Sequence, residues 1–423
     1  MKNPNNFSFL FSHFSLVFLI FFLCSVDAHS QHLSAFEQHY LKKNSTPIEL
    51  KKGSTTYNWK ALKKQLKGKN LVMLGEFNHG SKEIFELRND LIQYLHHELG
   101  FTTILFESGI GELAVVDFQK EELSTGRMTA GLLGGWRTQA FAKLMSYIKN
   151  NDLSLSGFDV QRTGNNFSAF LEKSIKDLNL DQDRFIEIEK RFGTQKSKLT
   201  NRKVVYDSVK VATEQLINDY QLLINQLDNK QNGKDKPTLL FIRRTLINRI
   251  AYLTYFLDFA KDKDWNQRWT TRDSIMASNV DWLINKIYPE EKVIIIAHNF
   301  HIAKYNEKQE VMGEFLKEKY SKEMYSLGVF AGKGSYADNF GREKQLSPIS
   351  TEKLDLKRVI QSLNHSVNFI PIPDKQNQKN SWLFNPIIVN DTFIDLYNSN
   401  EMNLAKHFDG LLLMDEVSPP DKL

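Results

Sequence analysis

Histidines and carboxylates follow several short apolar runs of this sequence, at the point where each run ends. The runs are residues 70–76, 102–108, 153–159 and 292–299. The acid/base side chains at their ends are Glu76, His79, Glu107, Asp159, His298 and His301. Runs that are apolar without alternation are typical of parallel strands buried on both faces, and the carboxyl ends of such strands meet at one edge of a sheet. The sequence therefore predicts that these side chains share one site.

The residue types at this edge are suited to two kinds of chemistry. A neutral imidazole accepts a proton near neutral pH, and a neighbouring carboxylate stabilises the cation that forms. Arg88, nine residues after His79 in a predicted helix, is expected either to pair with one of the carboxylates or to bind substrate. A divalent metal is the alternative, which makes a metal-dependent hydrolase or peptidase an open possibility. Its ligands would be Glu76, His79, His298 and His301.

Motifs of several other mechanisms are absent from the sequence. It has no G-x-S-x-G nucleophile turn, no H-E-x-x-H zinc motif, no phosphate-binding loop and no dinucleotide fingerprint. Cys24 is the only cysteine, which excludes disulfides within the chain. The 55 basic and 50 acidic residues give a formal net charge of +5 that is spread along the chain. We therefore predict no cofactor and no nucleic-acid partner.

Two further apolar runs, residues 324–330 and 410–416, bring the number of predicted strands to six. Helical periodicity separates them at 82–99, 137–150 and 273–288. Strands that alternate with helices predict an α/β fold with a mostly parallel central sheet flanked by helices. We assign residues 35–164 and 271–418 to this α/β core, and we predict surface loops over 340–380.

Residues 165–270 have a different composition, polar and rich in Lys, Asp, Asn and Gln. Long 3.6-residue patterns at 205–227 and 238–260 are separated by a break that is rich in lysine and asparagine. Because strands resume afterwards, we interpret the segment as a large helical insertion that forms a lid over the active-site cleft. Its aromatic residues are expected to line that cleft or to pack between the helices.

The first 28 residues have the pattern of a signal peptide. A lysine near the start precedes an apolar run at 14–24, and Ala28 ends a small-x-small cleavage pattern. The apolar run is shorter than the roughly 20 residues that a membrane span needs. The sequence therefore predicts an exported protein, periplasmic or secreted, with no stable membrane insertion after cleavage.

Three blocks of the sequence resemble the erythromycin esterase family. The opening block is a Gly-Glu pair, a His-Gly pair, a helix with Glu-Leu-Arg and a strand that ends in Glu. The second is Ala-His-Asn-x-His at 297–301, and a helix at 272–283 precedes it. The residues of the opening block are Gly75, Glu76, His79, Gly80, Glu86, Leu87, Arg88 and Glu107.

The resemblance implies a hydrolase that opens the macrolactone ring of macrolides such as erythromycin, without a metal, and so confers macrolide resistance. Phe77 and Asn78 depart from the family pattern, where small residues such as Ala and Thr are common. Since they lie in the loop of the site, we predict that they bind substrate together with Asp159. Another ester therefore remains a possible substrate, and a non-catalytic ligand-binding envelope protein is a further alternative.

We expect His79 to act as the general base that activates water. Glu107 or Glu76 would orient the imidazole and stabilise its charged form. Arg88, His298 and His301 would hold a substrate carboxylate or stabilise the developing oxyanion.

Overall fold

The computed structural model describes residues 32–51, 54, 56–174, 181–229, 236–391 and 401–423. The predicted signal peptide at 1–28 lies outside these residues. The strands are β1 (Thr46–Pro47), β2 (Leu71–Leu74), β3 (Phe101–Gly109), β4 (Ser154–Asp159), β5 (Lys292–Ile296), β6 (Met324–Ala337), β7 (Glu343–Gln345), β8 (Val367–Pro371), β9 (Ile387–Ile388), β10 (Glu401–Met402) and β11 (Gly410–Val417).

The α-helices are α1 (Ala35–Asn44), α2 (Lys60–Gln65), α3 (Lys82–Leu99), α4 (Ile110–Phe118), α5 (Thr125–Met128), α6 (Gln139–Asn150), α7 (Asn166–Ser174), α8 (Gln182–Leu199), α9 (Tyr206–Asp228), α10 (Pro237–Asp262), α11 (Trp265–Trp282), α12 (Asn299–Ile302), α13 (Met312–Tyr320), α14 (Leu356–Gln361), α15 (Ser381–Phe384) and α16 (Leu404–His407). Two short 3₁₀ turns lie at Thr129–Gly131 and Gly134–Trp136. None of the described helices has both the length and the apolar character needed to cross a membrane.

The large sheet has the strand order β1-β8-β11-β6-β2-β5-β3-β4, and β7 pairs with β6. Every pairing along β11-β6-β2-β5-β3-β4 is parallel. These are the six strands that the sequence predicts, so the expected α/β fold with a mostly parallel central sheet flanked by helices is confirmed. The four residues of β2 are all buried, as a strand covered on both faces requires.

Helix α3 shows how the sequence sets the helices that position the site. It begins after Ser81 and ends at Gly100, whose φ of 71° is the left-handed conformation that glycine adopts without strain. Its buried face includes Leu87, Leu91 and Leu95, at the spacing that predicts the helix. Arg88 lies on the same buried face and therefore points into the protein.

The antiparallel edge of the sheet differs from the sequence prediction. Residues 340–380, predicted as loops, contain β7, α14 and β8. Strand β8 has only five residues, too few for a reliable periodic signal, and is stabilised by long-range antiparallel pairing with β11 and β1. Helix α11 also begins at Trp265, eight residues before the predicted start at 273.

Helices α7 to α10 build a second apolar core beside the first. Buried side chains of this core include Phe185, Phe192, Tyr220, Tyr252 and Phe256. Val115 of α4 and Phe167 of α7 belong to it as well, so the helical segment packs on the α/β core through α4. Tyr252, Tyr255 and Phe256 therefore pack between helices, the second of the two expectations for these aromatic residues.

Candidate active site

A cavity of about 610 Å³ opens at the carboxyl ends of the parallel strands. The loops after β2, β4 and β5 and the ends of β3 and β6 contribute to its wall. The lining residues are Asn78, His79, Glu107, Leu133, Gly134, Gly135, Gln161, Trp269, Arg272, His298, Phe300, His301, Tyr336, Ala337, Asp338, Asn339 and Phe340. This volume lies within the range of roughly 300–1,000 Å³ that is usual for small-molecule sites.

The helical segment contributes little to the lining of this cavity. Of the described residues in 165–270, only Trp269 lines it. The remaining walls come from the glycine-rich turn at 133–135 and from residues 336–340 at the end of β6. These helices bury their apolar faces in their own core beside the sheet, and the expected lid over the cleft stays a prediction.

Glu76 is the centre of a buried polar cluster under the cavity floor. Its Oε1 accepts hydrogen bonds from Nδ1 of His79 at 2.6 Å and from Nε1 of Trp136 at 2.7 Å. Its Oε2 pairs with Nη1 of Arg88 at 2.6 Å. Burial disfavours the carboxylate, but Arg88 and these hydrogen bonds outweigh it and hold the pKa of Glu76 below its usual value. Glu76 is therefore ionised and fixed in position.

His79 connects this cluster to the cavity. Because Glu76 accepts at Nδ1, the neutral ring carries its proton there and its Nε2 is left as a base. His79 lines the cavity, and its side chain is 19% exposed. Burial lowers the pKa of His79, but the hydrogen bond to Glu76 and the charges of Glu107 and Glu76 outweigh burial and raise that pKa. The ring is thus a stronger base than a free histidine.

The position of Arg88 agrees with the first of its two expected roles, pairing with one of the carboxylates. Its guanidinium lies over the rings of Phe85 and Phe141, with centroids at 5.3 and 5.2 Å, and it does not line the cavity. The side chain is buried and pairs with Glu76. Arg88 therefore stabilises the carboxylate that orients His79, rather than contacting substrate.

Glycines allow the close approach that shapes the His79 loop. A Cβ on Gly80 would lie 1.9 Å from the backbone oxygen of Ala337, at the end of β6. A Cβ on Gly135 would lie 2.8 Å from the backbone oxygen of His79. Since both contacts are with backbone, only glycine permits them, and the loop is held between β6 and the 133–135 turn.

Glu107 is the centre of a second cluster on the opposite wall. Its Oε1 pairs with Nη2 of Arg272 at 3.0 Å and with Nε2 of His301 at 3.1 Å. Its Oε2 accepts from the backbone N–H of His298 at 3.0 Å. Burial opposes the charge, but His301, His79 and Arg272 outweigh it and lower the pKa of Glu107 well below its usual value. Glu107 therefore contacts His301 and Arg272 rather than His79.

Arg272 and Asp273, at the buried face of α11, complete this cluster and were not proposed as site residues from the sequence. Arg272 makes a bidentate pair with Asp159, with Nη2–Oδ2 2.6 Å and Nε–Oδ1 3.2 Å. Asp159 also accepts from the backbone N–H of Gln161, so both its oxygens are engaged. Asp159 is buried outside the cavity lining, where it fixes Arg272 instead of meeting substrate.

His301 lies between two carboxylates. Its Nδ1 is 2.9 Å from Oδ2 of Asp273, on the side opposite Glu107. Burial lowers its pKa, but Asp273 and Glu107 outweigh burial and raise the pKa to about 9. Nη1 of Arg272 is 3.0 Å from Nε2 of His301. We interpret this as a contact between two cations, since Glu107 accepts from both.

His298 is a neutral structural histidine in this arrangement. Its Nε2 donates to the backbone oxygen of Phe77 at 2.8 Å, and its Nδ1 accepts from the backbone N–H of Phe300 at 3.2 Å. Burial and the nearby charge of His79 lower its pKa to about 3. Both ring nitrogens thus bind backbone, and the imidazole packs 5.3 Å from the ring of His79. His298 positions the His79 loop and cannot supply a positive charge to an oxyanion.

The two substrate-binding residues predicted in the β2 loop have different environments. Phe77 is 1% exposed, does not line the cavity and packs against Tyr336 with a centroid distance of 6.4 Å. Asn78 does line the cavity. Of this pair, only Asn78 is therefore placed to meet a ligand directly.

The four predicted metal ligands are not arranged as a metal site. Glu76 is engaged by three donors, and both ring nitrogens of His298 bind backbone. His301 is held between Glu107 and Asp273. Within the described ranges, no group of three or more His, Cys, Asp or Glu side chains is arranged to hold a metal.

A sequence model of the family described as erythromycin esterase matches residues 96–417. The chain belongs to the erythromycin esterase family. The matched residues include Glu107, Arg272 and His301, whereas Glu76 and His79 precede them. One relative is YbfO of Bacillus subtilis (strain 168), whose name describes it provisionally as a hydrolase. It is 25% identical over 96% of each chain. Erythromycin esterase type II of Escherichia coli is 27% identical over 71% of this chain and 78% of its own length.

Solved structures share the fold of the family at low sequence identity. A Bacillus cereus protein superposes with a TM-score of 0.73 at 20% identity, covering 91% of this chain and 98% of its own. A mutant of the erythromycin esterase EreC in its open conformation gives a TM-score of 0.62 at 17% identity, covering 90% and 99%. At such identities the likeness to these structures shows the fold alone. Membership of the family supports the statement that this protein is a hydrolase.

Proposed function

We propose that this chain hydrolyses carboxylic esters by general-base activation of water at His79, with macrolactones such as erythromycin as its substrate class. The observation that carries the proposal is the orientation of His79. Its Nδ1 is held by the buried Glu76, and the ring lines a cavity large enough for a small-molecule ligand. A base raised in pKa and fixed in this way is suited to deprotonating water near neutral pH.

The reaction proceeds in two steps. Neutral His79 accepts a proton from water at Nε2, and the water oxygen attacks the ester carbonyl to form a tetrahedral oxyanion. The oxyanion then collapses, the bond to the alcohol oxygen breaks, and the imidazolium returns its proton to that oxygen. A macrolactone would thus open to a hydroxy acid, and the enzyme would return to its starting charge.

Glu76 and the second cluster stabilise charge during these steps. Glu76 lies 2.6 Å from Nδ1 and stabilises the imidazolium that forms. Arg272 and His301 present positive charge at the cavity wall, where the oxyanion and then the product carboxylate develop. Fixed charges in a site that excludes water are worth several kcal/mol to a transition state.

Direct attack by water fits the surroundings of His79. In the described part of the chain no serine, threonine or cysteine hydrogen-bonds to its ring, so the arrangement of a nucleophilic triad is missing. The cavity also combines its charged wall with apolar surface from Leu133, Trp269, Phe300 and Tyr336. Such a lining suits a bulky ligand with a polar ester.

The test is mass spectrometry of erythromycin and a panel of simpler lactones and linear esters, each incubated with the protein with and without a chelator. We expect a product heavier by one water that forms equally in both arms. A product that disappears with the chelator would place the protein among metal-dependent hydrolases. No product from any ester would contradict the proposed function.

We also propose that the protein acts outside the cytoplasm, because residues 1–28 have the pattern of an export signal. Hydrolysis of macrolides by this protein would confer macrolide resistance. Expression of the full chain in a macrolide-sensitive bacterium tests both points. Amino-terminal sequencing of the exported protein should show cleavage near Ala28. An unprocessed chain in the cytoplasm would contradict export, and unchanged sensitivity would contradict resistance.

A further inference from the structure

The side chain of Asn78 is fixed at one end and unpaired at the other. Its Oδ1 accepts hydrogen bonds from the backbone N–H of Gly80 and from the hydroxyl of Ser81, each at 2.9 Å. Because a backbone N–H only donates, this contact assigns the oxygen to that end of the amide and the NH₂ group to the other. In the described part of the chain, the buried Nδ2 has no hydrogen-bond partner.

This unpaired donor belongs to a residue of the cavity wall. Asn78 is 3% exposed and lines the cavity together with His79, the next residue in the chain. Buried donors in native proteins nearly always have an acceptor, and an exception calls for a specific reason. An acceptor atom of a bound ligand would satisfy Nδ2 once a small displacement of the cavity wall admits it.

We propose that Nδ2 of Asn78 donates a hydrogen bond to the carbonyl oxygen of the scissile ester, and that this bond strengthens as the oxyanion forms. The inference rests on the proposed ester hydrolysis. The base and the donor are then consecutive residues of one loop, so water and carbonyl are oriented by the same turn. The amide transfers no proton. It acts as a preorganised dipole, which needs no rearrangement as the charge develops.

The same contact gives Asn78 a part in specificity. An amide NH₂ favours a ligand group that only accepts, such as an ester carbonyl, at this point of the wall. A small side chain such as alanine would leave that acceptor without this partner.

Replacing the carbonyl oxygen of the substrate by sulfur tests the contact directly, because sulfur is a weak hydrogen-bond acceptor. The probes are the most rapidly hydrolysed ester of the panel and its thionoester. Asn78→Asp retains an acceptor for Gly80 and Ser81 while it removes the donor, and Asn78→Ala removes both. Asn225→Asp on the exposed face of α9 makes the same change of charge away from the cavity.

We expect both Asn78 variants to lose about 10²–10³-fold in kcat on the oxygen ester and much less on the thionoester. The oxygen-to-sulfur rate ratio should then fall towards its value in the uncatalysed reaction, while Asn225→Asp keeps the wild-type ratio. Rates are taken on the pH plateau of each variant, because a new carboxylate beside His79 raises the pKa of that ring. If Asn78→Ala does not fold, Asn78→Asp carries the test alone.

An unchanged ratio in the Asn78 variants would overturn the inference, even if kcat falls, because a purely structural role affects both substrates equally. In that outcome the wild-type protein still hydrolyses the ester, so the proposed function stands. Failure of the wild-type protein to hydrolyse any ester contradicts the proposed function and removes this inference with it. The two failures are therefore distinguishable.

Discussion

At the scale of single residues, the buried charge of Glu76 organises the catalytic base. Its carboxylate lies in an environment with no solvent exposure and is engaged by His79, Trp136 and Arg88. Charges at such depth are tolerated only when they are paired and hydrogen-bonded. The pair Glu76–Arg88 therefore links the stability of the protein to the orientation of His79.

Removing both partners of this pair should cost less stability than the two single removals added together. Glu76→Gln and Arg88→Met each leave one buried group without its counter-charge, at a cost of about 3–5 kcal/mol. The double variant removes both charges, so its loss should be smaller than the sum by at least about 1 kcal/mol. Urea unfolding of the four proteins measures this coupling. Strict additivity would show that the pair does not act as a unit.

The pH dependence of kcat/KM should have two limbs with different origins. His79 must be neutral to accept a proton, so activity rises with pH through its raised pKa, which lies above the ordinary 6.5. His301 must be charged, so activity falls as the pH rises through about 9. Asp273→Asn removes a carboxylate that favours charged His301 and should move the alkaline limb to lower pH.

The matched control for this profile is Asp281→Asn, on the same helix but paired with Lys319 away from the cavity. It should leave both limbs in place. An alkaline limb that does not respond to Asp273→Asn would show that His301 is not the group that titrates there.

The chemically active residues could be predicted from the sequence, but many of their hydrogen-bond partners could not. His79, Glu76, Glu107 and His301 follow strands whose apolar pattern is visible, and the structure brings all four to the ends of the parallel strands. Trp136 and Arg272 carry no such local signal, since their contacts with Glu76, Asp159 and Glu107 span 60 to 165 residues of sequence. The neutral state of His298 depends on backbone partners that only the folded loops supply.

At the scale of elements, the loop after β2 is confined by two neighbours that leave no room for side chains. Gly135 of the 3₁₀ turn lies against the backbone of His79, and Gly80 lies against the end of β6. The orientation of the base thus depends on the packing of a turn that is 55 residues away in the sequence. The catalytic loop and the 133–135 turn should behave as one unit.

Alanine substitution in the 133–135 turn tests this coupling. A Cβ on Gly135 would meet backbone oxygen and Cβ of His79 at 2.8 and 3.2 Å, whereas a Cβ on Gly134 meets nothing within 4 Å. We expect Gly135→Ala to lower kcat by about 10²-fold, since small displacements of a catalytic group have effects of that size. Gly134→Ala should retain most of the activity. Equal effects in steady-state assays of the two variants would contradict the coupling.

The elements of the core are specified by local pattern, but those of the edges are not. Each of the six parallel strands contains a short apolar run, and α3 and α6 have clear helical periodicity, so all could be predicted from the sequence. Strands β1, β7 and β8 contain only two to five residues. Strands β1 and β8 are stabilised by partners far away in the chain, and β7 by its pairing with the end of β6. Their formation depends on the completed sheet.

At the scale of the whole molecule, the protein has two apolar cores with different roles. The α/β core provides nearly all of the cavity wall, and the helices at 166–262 pack their apolar residues in the second core. Helical periodicity in 165–270 predicts helices correctly, but it does not say against which surface they pack. The lid over the cleft therefore stays a prediction.

Trp269 and Trp265 have different roles in this region, since the first can bind substrate and the second packs within the protein. Trp269 lines the cavity, whereas Trp265 packs on Phe259 with a centroid distance of 4.5 Å. Trp269→Ala should raise KM by about tenfold with little change in kcat, because a contact with the body of the substrate is similar in ground and transition states. Trp265→Ala should lower the melting temperature and leave KM unchanged. The reverse pattern would show that Trp265, rather than Trp269, contacts the substrate.

The most direct test of the central claim is kcat/KM for erythromycin in the wild-type protein, His79→Gln and His97→Gln, measured at one pH on the plateau. His97 is an exposed histidine on α3 and controls for the substitution itself. The account predicts that His79→Gln loses about 10²–10⁴-fold with an unchanged melting temperature, the contribution typical of a general base, while His97→Gln keeps full activity. A folded His79→Gln protein with activity within a few-fold of wild type would contradict the account.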